Sequence, residues 1–193
     1  MQHVLWRRFG FHNLLFWLFV YLVVTPFLSA IPYSMYIFQM FLSLVLLFAI
    51  FAIGREKEIL TLSVILLTLT LVFHWLGTFG VVRYSGRVSN LIMVLYLGTL
   101  VYSFFRGIFA ATKVTSSLIC ATLCLYLIIG LLWAAIFSLL ETTCPGSFSG
   151  GVLDHAGSVA DRLQSFVYFS FITLTTLGYG DITPQTQEAG ALC

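Results

Sequence analysis

Between Phe9 and Gly54 the chain carries no Lys, Arg, Asp or Glu. Water-soluble folds interrupt their apolar segments with solvated charges far more often than this. A helix needs roughly 20 apolar residues to cross about 30 Å of hydrocarbon. The stretch therefore holds two crossings, with Pro26-Phe27-Leu28-Ser29-Ala30-Ile31-Pro32 as the tight turn between them. Charged clusters punctuate the rest of the chain. Arg55-Glu56-Lys57-Glu58 precedes a third uncharged run, Ile59 to Val82; Arg83-Tyr84-Ser85-Gly86-Arg87 precedes a fourth, Val88 to Phe105; and a fifth extends from Val114 to Leu140. With 60% hydrophobic and 8% charged residues and a mean hydropathy of +1.04, most of the surface must face lipid.

Orientation follows from the basic residues. With the amino terminus in the cytoplasm, Arg7, Arg8, Arg55, Lys57, Arg106 and Lys113 lie inside, against Arg83, Arg87 and Arg162 outside. No small-residue cleavage pattern follows the first run, so it reads as a retained anchor of a multi-pass cell-membrane protein. The net charge of +2 then reflects topology, and no nucleic-acid partner is expected. Thr142 to Ala160, rich in Gly and Ser with one Pro, reads as an exposed outer loop. Leu163 to Thr175 is apolar but too short to cross, and predicts a helix that enters from the outer face and stops midway. Non-helical backbone at membrane depth is tolerated only where it is buried in protein or lines a water-filled path.

The residues after that helix suit an aqueous path. Carbonyls aimed at one axis require dihedrals that alternate in hand, and Gly178 and Gly180 stand at alternate positions. Thr176 adds a hydroxyl, Tyr179 a ring to wedge the loop from behind, and the carboxyl end of the helix adds partial negative charge. The arrangement favours a cation.

Thr175-Thr176-Leu177-Gly178-Tyr179-Gly180-Asp181, following a short aromatic helix, resembles the potassium-channel signature filter, the standard example of selectivity by rings of backbone carbonyls. The resemblance covers about residues 114–184. It implies an all-α polytopic membrane fold of about five transmembrane helices plus a re-entrant pore helix and filter loop. A four-helix membrane domain, 1–107, would precede a potassium-channel pore module, 114–193, as in six-helix channels. It implies further that the carbonyls of Thr176, Leu177, Gly178 and Tyr179, with the Thr176 hydroxyl, replace the hydration shell of potassium, and that Gly180 completes the filter. Thr175, Asp181 and Tyr168 support it, Tyr168 standing where the family has Trp and positioned to bond Asp181. Leu177 stands where Val or Ile is usual, packed behind the loop. A closed ring takes four such loops and the chain has one, so the implied assembly is a homotetramer in the lipid bilayer, with potassium as permeant ion and no other cofactor. A transporter of the related superfamily would carry four non-identical loops in one chain.

In the family an inner helix follows the filter. Gln185 to Cys193 would extend only about 13 Å as a helix. The second reading is therefore a truncated, non-conducting membrane subunit or interaction protein. Val88 to Phe105 contains no Arg or Lys, so strong voltage sensing is not expected. His74 reads as a satisfied or interfacial histidine, and Cys120 and Cys124 as small buried side chains. Cys144 could form a disulfide, but neither it nor Cys193 has a partner fixed by the sequence. Glu141, Asp154 and His155 read as solvated, although the resemblance allows Glu141 to brace the pore mouth. Trp6, Trp17 and Trp133 are candidate interface anchors. There is no paired-carboxylate site, nucleophile–base pair or phosphate-binding glycine motif, so an enzyme is not expected.

Overall fold

The computed structural model describes residues 2–28, 34–52, 57–78, 85–154 and 159–193. Arg55, Glu56, Arg83, Tyr84, His155 and residues 29–32 of the expected turn lie outside them, as do the side chains of Trp6, Arg7, Arg8 and Asp154. The uncharged runs are helices: α1 (Gln2–Val24), continued by a 3-10 turn (Thr25–Leu28), α2 (Ser34–Ala52), α3 (Lys57–Thr78), α4 (Ser85–Phe109) and α5 (Ser116–Thr143). The protein is all-α with a membrane-protein composition. Among the described residues four stretches are long and apolar enough to cross a bilayer: Gly10–Leu28, Lys57–Gly77, Gly86–Phe109 and Ser116–Thr143. The helix α2, expected as a further crossing, has 19 residues and a shorter apolar core, Tyr36–Ile50. At 1.5 Å per residue it is about 28 Å long.

Side-chain contacts fix which helix ends lie together. Asn90 Nδ2 donates to Ser138 Oγ at 2.9 Å and Arg87 Nε to the Thr142 carbonyl at 2.8 Å, so α4 and α5 run antiparallel. His74 Nδ1 lies 3.4 Å from Ser89 Oγ, placing the end of α3 beside the start of α4. At the opposite end Phe11 meets Phe104 edge to face, centroids 5.5 Å apart, and its carbonyl accepts the Cys124 thiol at 3.6 Å. Trp17 stacks on Phe48, which makes it a packing residue between α1 and α2. Tyr96 Oη donates to the Leu46 carbonyl at 2.6 Å. Interhelical bonds in a bilayer contribute about 0.6 kcal/mol each on average, so their main effect is to fix register.

Lipid tails are as apolar as leucine, so helices associate through close packing. The α5 sequence provides for it with small buried residues, Ala121, Gly130, Ala134, Ala135 and Ser138. The buried residues form one cluster that includes Leu14, Leu46, Tyr96, Cys124, Phe137 and Phe166, continuous across α1, α2, α4, α5 and the segment around Phe166. The helix α3 is more peripheral: Leu62, Ile65, Leu69 and Val72 are exposed on it.

After α5 the chain makes a short strand β1 (Phe148–Ser149), one helical turn α6 (Gly151–Asp154), the helix α7 (Val159–Leu174), a strand β2 (Thr183–Pro184) and a final short helix α8 (Gln187–Leu192). Val159 to Arg162, expected partly as loop, belong to α7. Asp161 in its first turn suits the positive end of the helix dipole, and its carbonyl accepts the Ser165 hydroxyl at 3.0 Å.

Candidate functional site: the loop at the end of α7

The helix α7 starts near the end of α5 and descends half its length. Ser170 Oγ donates to the Gly130 carbonyl at 2.7 Å, and residue 130 is at the middle of α5. The chain then returns to the end from which it came, because β2 pairs antiparallel with β1, Phe148 opposite Pro184 and Ser149 opposite Thr183. The Gln185 N–H adds a bond to the Ser147 carbonyl at 2.8 Å. Residues 175–182 join descent to return, with 176–180 as the central link.

The link begins with a defined helix stop. The Leu177 N–H donates to the Ile172 carbonyl at 2.9 Å, and inside that bond the Thr176 N–H donates to the Thr173 carbonyl at 3.0 Å. This pair is the Schellman arrangement, which requires a left-handed residue between the two donors' ends. That residue is Thr176, with φ 58°. Gly178 and Gly180 follow at 52° and 78°, whereas Leu177 and Tyr179 between them keep negative φ. Alternation of hand was expected at the two glycines. The structure extends it to a threonine, a β-branched residue for which this conformation costs about 1–2 kcal/mol.

The capping bonds end at Thr173. Among the described residues no backbone N–H donates to a carbonyl of residues 174–180, and residues 175–180 are all exposed. Leu177 is 55% exposed and Tyr179 67%. The expectation that Leu177 packs behind the loop and that Tyr179 wedges it is not met within one chain, where both side chains are more than half exposed.

Two supports hold the return path. Tyr168 Oη donates to Asp181 Oδ2 at 2.7 Å, and Asp181 Oδ1 accepts the Ile182 N–H at 3.1 Å. Donating to that carboxylate is the main reason the Tyr168 hydroxyl pKa is pushed up to about 12, with burial a smaller one. Thr175 Oγ1 turns back to the Phe171 carbonyl at 2.7 Å and so belongs to the helix end.

The second support is Glu141, read from sequence as solvated, with a brace of the pore mouth as the alternative that the resemblance allows. The Glu141 carboxylate accepts the N–H of Gly146 at 2.9 Å and that of Phe148 at 3.0 Å. It thereby folds the loop after α5 back over its own helix. Phe148 is then buried among Phe137, Phe166 and Phe169, with centroids 5.4, 5.3 and 5.7 Å away. Sequence reasoning missed this plug; its one signal is a lone large aromatic in a Gly/Ser segment. At Gly150 an added Cβ would collide with the Asp181 carbonyl, so the loop approaches the return path more closely than a side chain allows.

The other candidates fall elsewhere. Cys120 is half-buried, Cys124 is buried, Cys144 and Cys193 are exposed, and all four are free thiols. No cluster of His, Cys, Asp and Glu suited to a metal occurs among the described residues. Trp133 packs against Phe137.

Residues 121–193 match a family model described as an ion channel. The match takes in most of α5, the Glu141 loop, α7, the 176–180 link and its return. No curated protein and no solved structure was found to match the chain. The carboxyl-terminal part of this multi-pass membrane chain is thus similar to an ion-channel pore module.

Proposed function

We propose that this chain is a subunit of a potassium-selective channel in which four copies bring residues 176–180 to a common axis. The observation that supports it best is that, among the described residues, no backbone N–H donates to the carbonyls of the exposed residues 175–180, on a segment of alternating hand. Carbonyls left bare in hydrocarbon cost several kcal/mol each. A cation on the axis, ringed by the carbonyls of Thr176, Leu177, Gly178 and Tyr179 from four chains, supplies the partner they lack. The same assembly gives Leu177 and Tyr179 a neighbouring surface to bury against. In this reading residues 1–107 are a scaffold, residues 114–193 are the pore module, and the amino terminus is cytoplasmic. Conduction down the gradient needs no further cofactor and no catalytic group.

The test is flux. Liposomes containing the purified chain and loaded with KCl are expected to release potassium when an ionophore relieves the charge imbalance, and NaCl-loaded vesicles to release far less sodium. Equal release of both ions would rule out selectivity, and release of neither would rule out conduction.

A further inference from the structure

Four helices and the turn after α1 each bring a polar residue to one small cavity: Tyr21 on α1, Thr25 in the 3-10 turn that continues it, Gln39 on α2, His74 on α3 and Gln164 on α7. All five lie toward the helix ends that meet the start of α7, and there they form a polar pocket in an otherwise apolar bundle. Gln39 is 2% exposed, and among the described residues its Nε2 has no hydrogen-bond partner. A buried amide donor left so carries its full desolvation penalty. The pocket is narrow and partly open, and its inner end has room for about one water molecule.

We propose that this cavity is a hydration site holding one water molecule, which accepts from Gln39 Nε2 and joins α2 to α7 through the polar groups that line the wall. Thr25 is already engaged, since its hydroxyl donates to the Tyr21 carbonyl. Tyr21 and Gln164 also line the cavity, and the Tyr21 hydroxyl and the Gln164 amide oxygen are of the kind that can accept from the water. Gln164 lies about three turns before Thr176 along the chain of α7, so the water ties the amino-terminal helices to the helix that carries the 176–180 link. The site rests on burial and cavity geometry and stands whether or not the chain conducts.

Solid-state NMR of the full chain in lipid bilayers, with glutamine side chains labelled, reads the site directly. Transfer of magnetisation from water to the Gln39 amide is expected, at a rate well above that of the lipid-facing backbone. Absence of transfer would overturn the proposal. Stability supplies a second reading whose sign differs between the two cases. An amide held by water loses a partner in Gln39→Leu and the thermal midpoint falls, whereas an orphaned amide is relieved and the midpoint rises. Ser63 is the control, because among the described residues its Oγ is also buried without a partner but it does not line this cavity. Ser63→Ala is expected to leave the midpoint unchanged or raise it. A rise in the Gln39→Leu midpoint like that of Ser63→Ala would overturn the water site.

Discussion

Tyr168 and Asp181, thirteen residues apart, are joined by a 2.7 Å hydrogen bond that ties the side of α7 to the residue following the link's second glycine. A bond to a charged group contributes about 1.5–3 kcal/mol when buried. Both partners are reached by solvent in one chain, so about 1 kcal/mol is the better expectation. Tyr168→Phe should leave α7 folded and loosen the return path, read as faster hydrogen exchange at the Ile182 N–H. Unchanged exchange there would show the bond to be incidental. The raised hydroxyl pKa gives the pH sense: the neutral, donating form is complete below the unfolded value of 10 and is lost as pH rises through about 12. The contribution is therefore constant across neutral pH and disappears only in strong alkali.

Glu141→Gln tests the second support. The variant keeps the shape, but its amide nitrogen cannot accept, so one of the two backbone N–H groups loses its acceptor and the other bond loses its charge, a loss of about 1–3 kcal/mol. Phe148 should then leave its aromatic pocket more often, and the 144–150 loop should be cut by protease several-fold faster. A loop as resistant as in the parent protein would mean that Phe148 alone holds it.

Gly130 and Gly178 are intolerant for different reasons. A Cβ at Gly130 would collide with the Phe171 ring, so Gly130→Ala should cost about 1–3 kcal/mol of overpacking in thermal stability. At Gly178 no atom stands in the way, but φ is +52°. Gly178→Ala should cost about 1–2 kcal/mol per chain and turn a carbonyl aside. The potassium-to-sodium permeability ratio should therefore collapse. An unchanged ratio would remove Gly178 from the ion path.

Thr176→Gly should separate stability from function. Relief of the left-handed threonine returns about 1–2 kcal/mol. The added freedom of glycine in the unfolded chain takes back about 0.5–1 kcal/mol. A net gain near 1 kcal/mol per chain is expected, together with weaker potassium selectivity from the lost hydroxyl. A variant less stable than the parent would show that Thr176 is not strained.

The fold was legible where it depends on solvent. Runs without charge became α1, α3, α4 and α5 because lipid imposes that pattern on any crossing helix, and the halt of α7 followed from its length. The illegible parts depend on distant partners. Glu141 looks solvated until the loop five to seven residues later folds over it, and Phe148 looks like loop until Phe137, Phe166 and Phe169 enclose it. The start of α7 at Val159 was hidden because its polar first turn resembles the loop before it. The left-handed conformation of Thr176 runs against its own propensity, and only the two capping bonds reveal why it is adopted. The exposure of Leu177 and Tyr179 departs from expectation because the single chain leaves both side chains more than half exposed; the proposed assembly is what would cover them.

Voltage should act weakly on the open state. The two basic residues described on α4, Arg87 and Arg106, stand near its ends, and Arg87 is held on the Thr142 carbonyl. Moving one elementary charge through 100 mV is worth about 2.3 kcal/mol, so a steep response needs several charges within the field. A shallow conductance–voltage relation is expected, with Arg87→Gln leaving its slope unchanged. A slope equivalent to several gating charges would refute this.

Potassium selectivity through the 176–180 link is read out by the reversal potential of the reconstituted chain in a planar bilayer, with potassium on one side and sodium on the other. If these residues from four copies form a ring of carbonyls around a dehydrated potassium ion, current carried by potassium persists until a large opposing voltage is applied, and Gly178→Ala brings the reversal toward zero. A parent protein whose current reverses near zero, passing sodium as readily as potassium, would show that the link is not a potassium filter.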